Sequence, residues 1–193
     1  MDSNPERPTK EETAQRARAL EKYARSLIDG VLTAGSGNKH DKGDCRSKTF
    51  RVEAKYRWNW DPEERGFYLD LDLQWLEGIY RHATREGQIP ILALEYGNGR
   101  RFFLGPYELL TDLNVMYEDP SYTVEKGRAP RLPLFRIENK EMLWFPDIEV
   151  PEMTWAVMGP DLFQEVVANC QLEEPKAHRE RREFKERLAK WKR

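Results

Sequence analysis

Apolar residues recur at three- and four-residue steps from position 17 to 31: Ala17, Leu20, Ala24, Leu27, Ile28 and Val31. That period is helical. Thr9, with Glu12 three residues on, predicts a capped start, and Gly30 marks the expected end. Residues 49–56 change period. Phe50, Val52, Ala54 and Tyr56 alternate with Arg51, Glu53 and Lys55. Side chains alternate across a strand, so this predicts one arm of a β-hairpin, with Glu53 and Lys55 on the same face. The stretch from Trp58 to Gly66 reads as a loop. A second helix is predicted from Asp70 or Asp72, with Leu73, Leu76, Ile79, Tyr80 and Ala83 on its apolar face and Gly87 as its stop.

Ile89 to Tyr96 is nearly continuous in its apolar character, as expected of a strand buried on both faces. Arg101 to Leu104 predicts another strand, and Pro106 to Tyr117 a short helix. From 118 to 160, prolines punctuate short apolar pieces: Leu132 to Ile137, Met142 to Phe145 and Trp155 to Met158. These are candidate strands extending the sheet. Asp161 to Cys170 predicts a helix, and Lys176 to Arg193 a highly charged one. The order helix, hairpin, helix, strand, strand predicts an α/β fold: a central mixed β-sheet flanked by helices. Residues 1–8 read as a disordered lead, 9–105 as the core, 106–175 as an extension of the same domain, and 176–193 as a basic C-terminal helix or tail.

Charge sharpens this picture. The chain has 193 residues, 34% of them charged, and a formal net charge of -2. That near-balance hides segregation. Residues 39–57 hold seven Lys or Arg against three acids, and 176–193 hold nine against three. Basic patches of this kind suit a polyanion. The tail reads either as a DNA-binding arm or as a solvated helix held by ion pairs. Two cysteines, Cys45 and Cys170, are too few for a disulfide scaffold or a zinc cage. With no long apolar run and no signal peptide, the expectation is a cytoplasmic, reduced, soluble protein without a membrane partner.

The candidate chemistry lies in the predicted hairpin. Asp44, Glu53 and Lys55 bring two carboxylates and an ammonium to one sheet edge, a set that can hold a hard divalent cation and place a water against phosphate. The loop Gly35-Ser36-Gly37 permits close backbone approach to phosphate oxygens. Each feature has a plainer reading. A Glu-x-Lys triplet is common in strands, and loop glycines often serve only a turn. His40 beside Asp41 lacks a partner pattern for a histidine-type nuclease. Trp58 and Trp60 suit either base stacking or packing onto the sheet, and Trp144 and Trp155 suit the core.

On Gly35-Ser36-Gly37, Asp44, Glu53-Ala54-Lys55, Gln74 and Pro90-Ile91-Leu92-Ala93-Leu94, the chain resembles the PD-(D/E)xK nuclease superfamily. Within it, the nearest likeness is to Holliday junction resolvases of the archaeal and phage type. The likeness covers roughly residues 17–96; Gly43 stands where the superfamily's proline would precede Asp44. It implies a restriction-endonuclease-like core and a Mg²⁺-dependent endonuclease in which Mn²⁺ substitutes. Asp44, Glu53 and the Ala54 backbone carbonyl would bind the metal, with Glu21 on the first helix as a further ligand. Lys55 would stabilise developing charge, and Gln74 would touch water or phosphate. Ser36, Lys39, Lys42, Arg46 and Arg57, with Arg181, Arg182 and Lys185 of the tail, would contact DNA. Resolution of branched DNA requires two paired cuts and hence a homodimer. The competing expectations are a nuclease for flaps, ends or duplex sites, and a silent DNA-binding module on the same fold.

Overall fold

The computed structural model describes residues 5–33, 44–61, 66–67, 69–97, 99–110, 117–118, 131–132, 142–149 and 154–172. The chain forms α1 (Lys10–Leu27), β1 (Val31–Leu32), β2 (Cys45–Arg46), β3 (Phe50–Arg57), β4 (Trp60–Asp61), β5 (Gly66–Phe67), β6 (Leu69–Asp70) and α2 (Leu73–Glu86). It continues with β7 (Ile89–Tyr96), β8 (Arg100–Pro106), a 3-10 turn (Tyr107–Leu110), β9 (Tyr117–Glu118), β10 (Arg131–Leu132), β11 (Met142–Glu149), β12 (Thr154–Met158) and α3 (Pro160–Leu172). The fold is α/β, as the pattern predicts.

Helix α1 starts as a capping box. Thr9 N–H donates to Glu12 Oε2 (2.7 Å), and Glu12 N–H donates to Thr9 Oγ1 (3.2 Å). Its buried stripe is Leu20 and Ala24, continued by Ile28 at the cap. Gly30 lies two residues beyond that cap. A Cβ there would meet the Arg46 carbonyl oxygen at 2.6 Å, so only glycine lets the helix exit press against β2. Helix α2 is capped by Asp72, whose carboxylate accepts from Gln74 N–H (3.0 Å). It ends at Gly87 in the left-handed conformation (φ 69°), as its sequence predicts.

Among the described residues, eight strands form one mixed sheet in the order β1-β2-β3-β7-β8-β12-β11-β9. Neighbours are antiparallel except β3 with β7 and β11 with β9. The parallel β3–β7 pair is joined through α2, as a parallel pair requires a crossover. β7 sits at the centre with seven of its eight residues buried. The expected apolar pieces after residue 118 do extend the sheet, through β11 and β12.

Each face of the sheet has its own core. On one, α1 and α3 pack on Phe50, Val52, Ala54, Ile91, Ala93 and Phe103. On the other, α2 packs on Leu92, Leu94, Tyr96, Phe102, Leu104 and Trp155. Consecutive β-strand residues thus enter different cores.

Three expectations need adjustment: the loop after β3, the piece from Leu132 and the helix after β8. Part of the segment from Trp58 to Gly66 is not loop: Trp60 and Asp61 pair with Phe67 and Gly66 as a two-stranded ribbon. Of the piece from Leu132 to Ile137, only Leu132 is described, paired with Leu69 outside the main sheet. Arg51, on the face of β3 that also carries Glu53 and Lys55, is 1% exposed, because α2 covers that face and brings Glu86 to 3.0 Å from its guanidinium. The expected helix from Pro106 to Tyr117 is, where described, a 3-10 turn over Tyr107–Leu110, with Pro106 ending β8 and Tyr117 opening β9. The Gly35-Ser36-Gly37 loop and the tail from Lys176 lie outside the described residues.

Candidate active site at the edge of β3

The site follows from a mismatch in strand length. β3 runs for eight residues, but β2 pairs with only its first part, Arg46 opposite Arg51 and Cys45 opposite Val52. Beyond Val52, Asp44 takes over. Its N–H donates to Val52 O (2.8 Å), and its side chain turns onto β3, where Oδ2 accepts from Ala54 N–H (2.6 Å). The Ala54 N–H therefore faces away from β7. In an extended strand the C=O of a residue faces the same side as its N–H. The Ala54 carbonyl is thus aimed at the edge that Asp44 occupies.

Glu53 and Lys55 stand two apart on β3. Lys55 Nζ donates to Glu53 Oε1 (2.5 Å), with the side chains 26% and 21% exposed. They are half-buried yet reachable. From the opposite side, α1 brings Glu21 within electrostatic range of Asp44, Glu53 and Lys55. Glu21 is half-buried as well. The expected acidic pair, the ammonium and the first-helix carboxylate therefore gather around one strand edge.

Their electrostatics are unbalanced. Burial pushes the Asp44 carboxyl up to about 6, and the charges of Glu53 and Glu21 push the same way. The Ala54 amide and Lys55 pull against them. Burial likewise raises Glu21, helped by Glu53 and opposed by Arg18 and Lys55. Three carboxylates share a partly buried place with one ammonium. A divalent cation would relieve that excess of negative charge. Among the described residues, no three His, Cys, Asp or Glu side chains form a ready cage for a metal ion. The donor set still suits magnesium, which is commonly held by one or two carboxylates, with waters completing the octahedron.

The remaining predicted residues divide. Gln74 is exposed in the first turn of α2, and among the described residues its side chain makes no bond to the cluster. Arg46 faces Glu86 (3.5 Å) rather than the acidic group. It lines a cavity of about 360 Å³ with Asp29, Ser47, Lys48 and Gln88 at the other end of the hairpin, where no member of the acidic cluster contributes. Arg57 lies over the Trp75 ring, 4.5 Å from its centroid. Ser36, Lys39, Lys42, Arg181, Arg182 and Lys185 lie outside the described residues, as do His40 and Asp41. Trp155 is core, fully buried. Cys45 is buried, and Cys45 and Cys170 are both free thiols.

Sequence reasoning passed over Trp75 and Arg16. Arg16 donates to Gly97 O (3.1 Å), and its guanidinium lies 5.6 Å from the Tyr56 ring centroid and 6.0 Å from that of Trp58. Neither residue stands out locally, because each depends on an aromatic or cationic partner from another element. Among the described residues no helix is long and apolar enough to cross a membrane. Comparison of the chain with models of protein families, with curated proteins and with solved structures gave no match.

Proposed function

We propose that this protein is a metal-dependent DNA endonuclease of PD-(D/E)xK type that hydrolyses phosphodiester bonds in branched DNA as a homodimer. The single observation that carries the reading is the gathering of Asp44, Glu53, Lys55 and the Ala54 backbone at the open part of β3. The order of helix, hairpin, helix and strand, with β3 and β7 parallel neighbours, supports a restriction-endonuclease-like core.

Asp44, Glu53 and the Ala54 carbonyl would hold Mg²⁺, with Mn²⁺ as a substitute and Glu21 as an outer ligand. When bound, the ion supplies positive charge beside the phosphate. The Ala54 N–H fixes one Asp44 oxygen and leaves the other for the ion. Lys55, already at the Glu53 carboxylate, stands where an ammonium can offset charge developing on phosphate oxygens. Gln74, exposed at the start of α2, is available to water or substrate. Two symmetric cuts in a four-way junction require two such sites, which a twofold dimer supplies.

The test is cleavage of a labelled four-way junction with Mg²⁺ and with EDTA, beside linear duplex and flap controls. Mg²⁺-dependent nicking that favours the junction is expected. Preference for linear duplex would remove the resolvase assignment and leave a nuclease. Absence of cleavage on every DNA would overturn the nuclease reading itself.

A further inference from the structure

The acidic cluster has a neighbour on two separate elements. Along β3, Arg57 follows Lys55 by two residues on the same face, a step of about 7 Å at the usual strand rise. Along α1, Arg16 precedes Glu21 by five residues, about 7.5 Å at the helical rise. Both steps run toward the same end of the sheet. Arg16 is bonded to Gly97 just past the end of β7, and Arg57 pairs in register with Tyr96, the last residue of that strand. A strand and a helix thus place arginine toward the same end of the sheet.

Both arginines lie over aromatic rings. Arg57 covers Trp75 at 4.5 Å, and Arg16 lies 5.6 Å from Tyr56 and 6.0 Å from Trp58. The Arg57 guanidinium is further held by donation to Tyr56 O (3.0 Å). Arg57 is nonetheless exposed as a residue, while Trp75 is half-buried against the α2-side core. The cation is therefore set over the indole and remains partly open to solvent, with the Asp72 carboxylate within electrostatic range. Such a backed guanidinium offers a flat surface to a nucleobase and N–H edges to a phosphate. Base pairs in a duplex keep their faces stacked on one another, so only an unpaired base can use such a surface.

Resting on the nuclease reading, we infer that the site takes a strand with an unpaired nucleotide within a few nucleotides of the scissile phosphate, stacked on Arg57 over Trp75. The offset of Arg57, about 7 Å from Lys55 and about 13 Å from Glu53 at the strand rise, is the reach of a few nucleotides. The strand would enter the site already unstacked, as at a flap, a fork or an opened branch point. Arg16 and Trp58 flank the same end and would continue the path.

The test uses the full chain in EDTA, so that binding is read without cleavage. The probe is a single-stranded oligonucleotide carrying 2-aminopurine, with its blunt duplex as the control. The expected result is altered 2-aminopurine fluorescence on binding and tighter binding of the single strand than of the duplex. Arg57→Lys keeps the charge and loses the plane. It is expected to abolish the fluorescence change and weaken single-strand binding by about tenfold, with duplex binding little altered. Trp75→Phe keeps a ring in the half-buried position and is expected to retain part of the signal. Equal affinity of wild type for single strand and duplex would overturn the inference, as would an unaltered fluorescence change in Arg57→Lys. A protein that passes this test but cuts no DNA would overturn the nuclease reading alone.

Discussion

Two ion pairs stand on the same face of β3, four residues apart, and they differ in kind. Arg51 is buried to 1% exposure and reaches across to Glu86 at the end of α2. Lys55 pairs with Glu53 on its own strand, and both are partly exposed beside Asp44 and Glu21. The first joins two elements and is covered by one of them. The second joins nothing that the strand does not already join. An ion pair that ties no elements together, in company with surplus carboxylates, is poorly explained by stability. Position along one strand, measured against where β2 stops, separates a structural pair from a candidate catalytic one.

The largest expected effect concerns the carboxylate of the second pair and the one beside it. Asp44→Asn and Glu53→Gln should each lower Mg²⁺-dependent junction cleavage by at least about 10³-fold while DNA binding in EDTA persists. Full cleavage in either variant would make the two ion pairs equivalent and end the comparison. Glu86→Gln should do the reverse. It takes the carboxylate from buried Arg51 and should cost roughly 1–3 kcal/mol in urea unfolding, with cleavage per folded molecule unchanged.

A pH experiment sharpens the contrast. Asp44 titrates at about 6 in the fold, against about 3.9 for an unfolded aspartate. A raised carboxyl favours its protonated form in the native state. The associated stability is full below about pH 4 and is lost as pH rises through about 6. Without divalent ions, Asp44→Asn should thus be more stable than wild type at pH 7.5, by roughly 1–3 kcal/mol, and no more stable at pH 4. Mg²⁺ should raise the wild-type melting temperature at pH 7.5 and lose that effect near pH 5, where protonation competes with the ion. Equal Mg²⁺ shifts in wild type and Asp44→Asn would mean that the ion binds elsewhere. The smallest effect belongs to Lys55→Met. Its stability should change by less than about 1 kcal/mol, because the pair it breaks is partly solvated, although cleavage should fall steeply. A loss as large as that of Glu86→Gln would mean that both pairs are structural.

Periodicity, caps and glycines determined much of this protein unaided. The Thr9 cap, the Asp72 cap, the Gly87 stop, the alternation of residues 50–56 and the double-sided burial of Ile89–Tyr96 are local consequences of local residue types. So is the shared face of Glu53 and Lys55, which follows from a two-residue repeat. Tertiary structure alone decided what each face meets. The burial of Arg51, the rings under Arg57 and Arg16, and the approach of Glu21 to Asp44 all depend on which helix covers which side of the sheet. The proline-punctuated stretch shows the same limit from the other side: Thr154–Met158 finds its place only by pairing with β8, some fifty residues back in the chain. Short-range patterns fix backbone shape and the direction of a side chain, whereas charge, burial and proximity at a site are sums over residues distant in sequence.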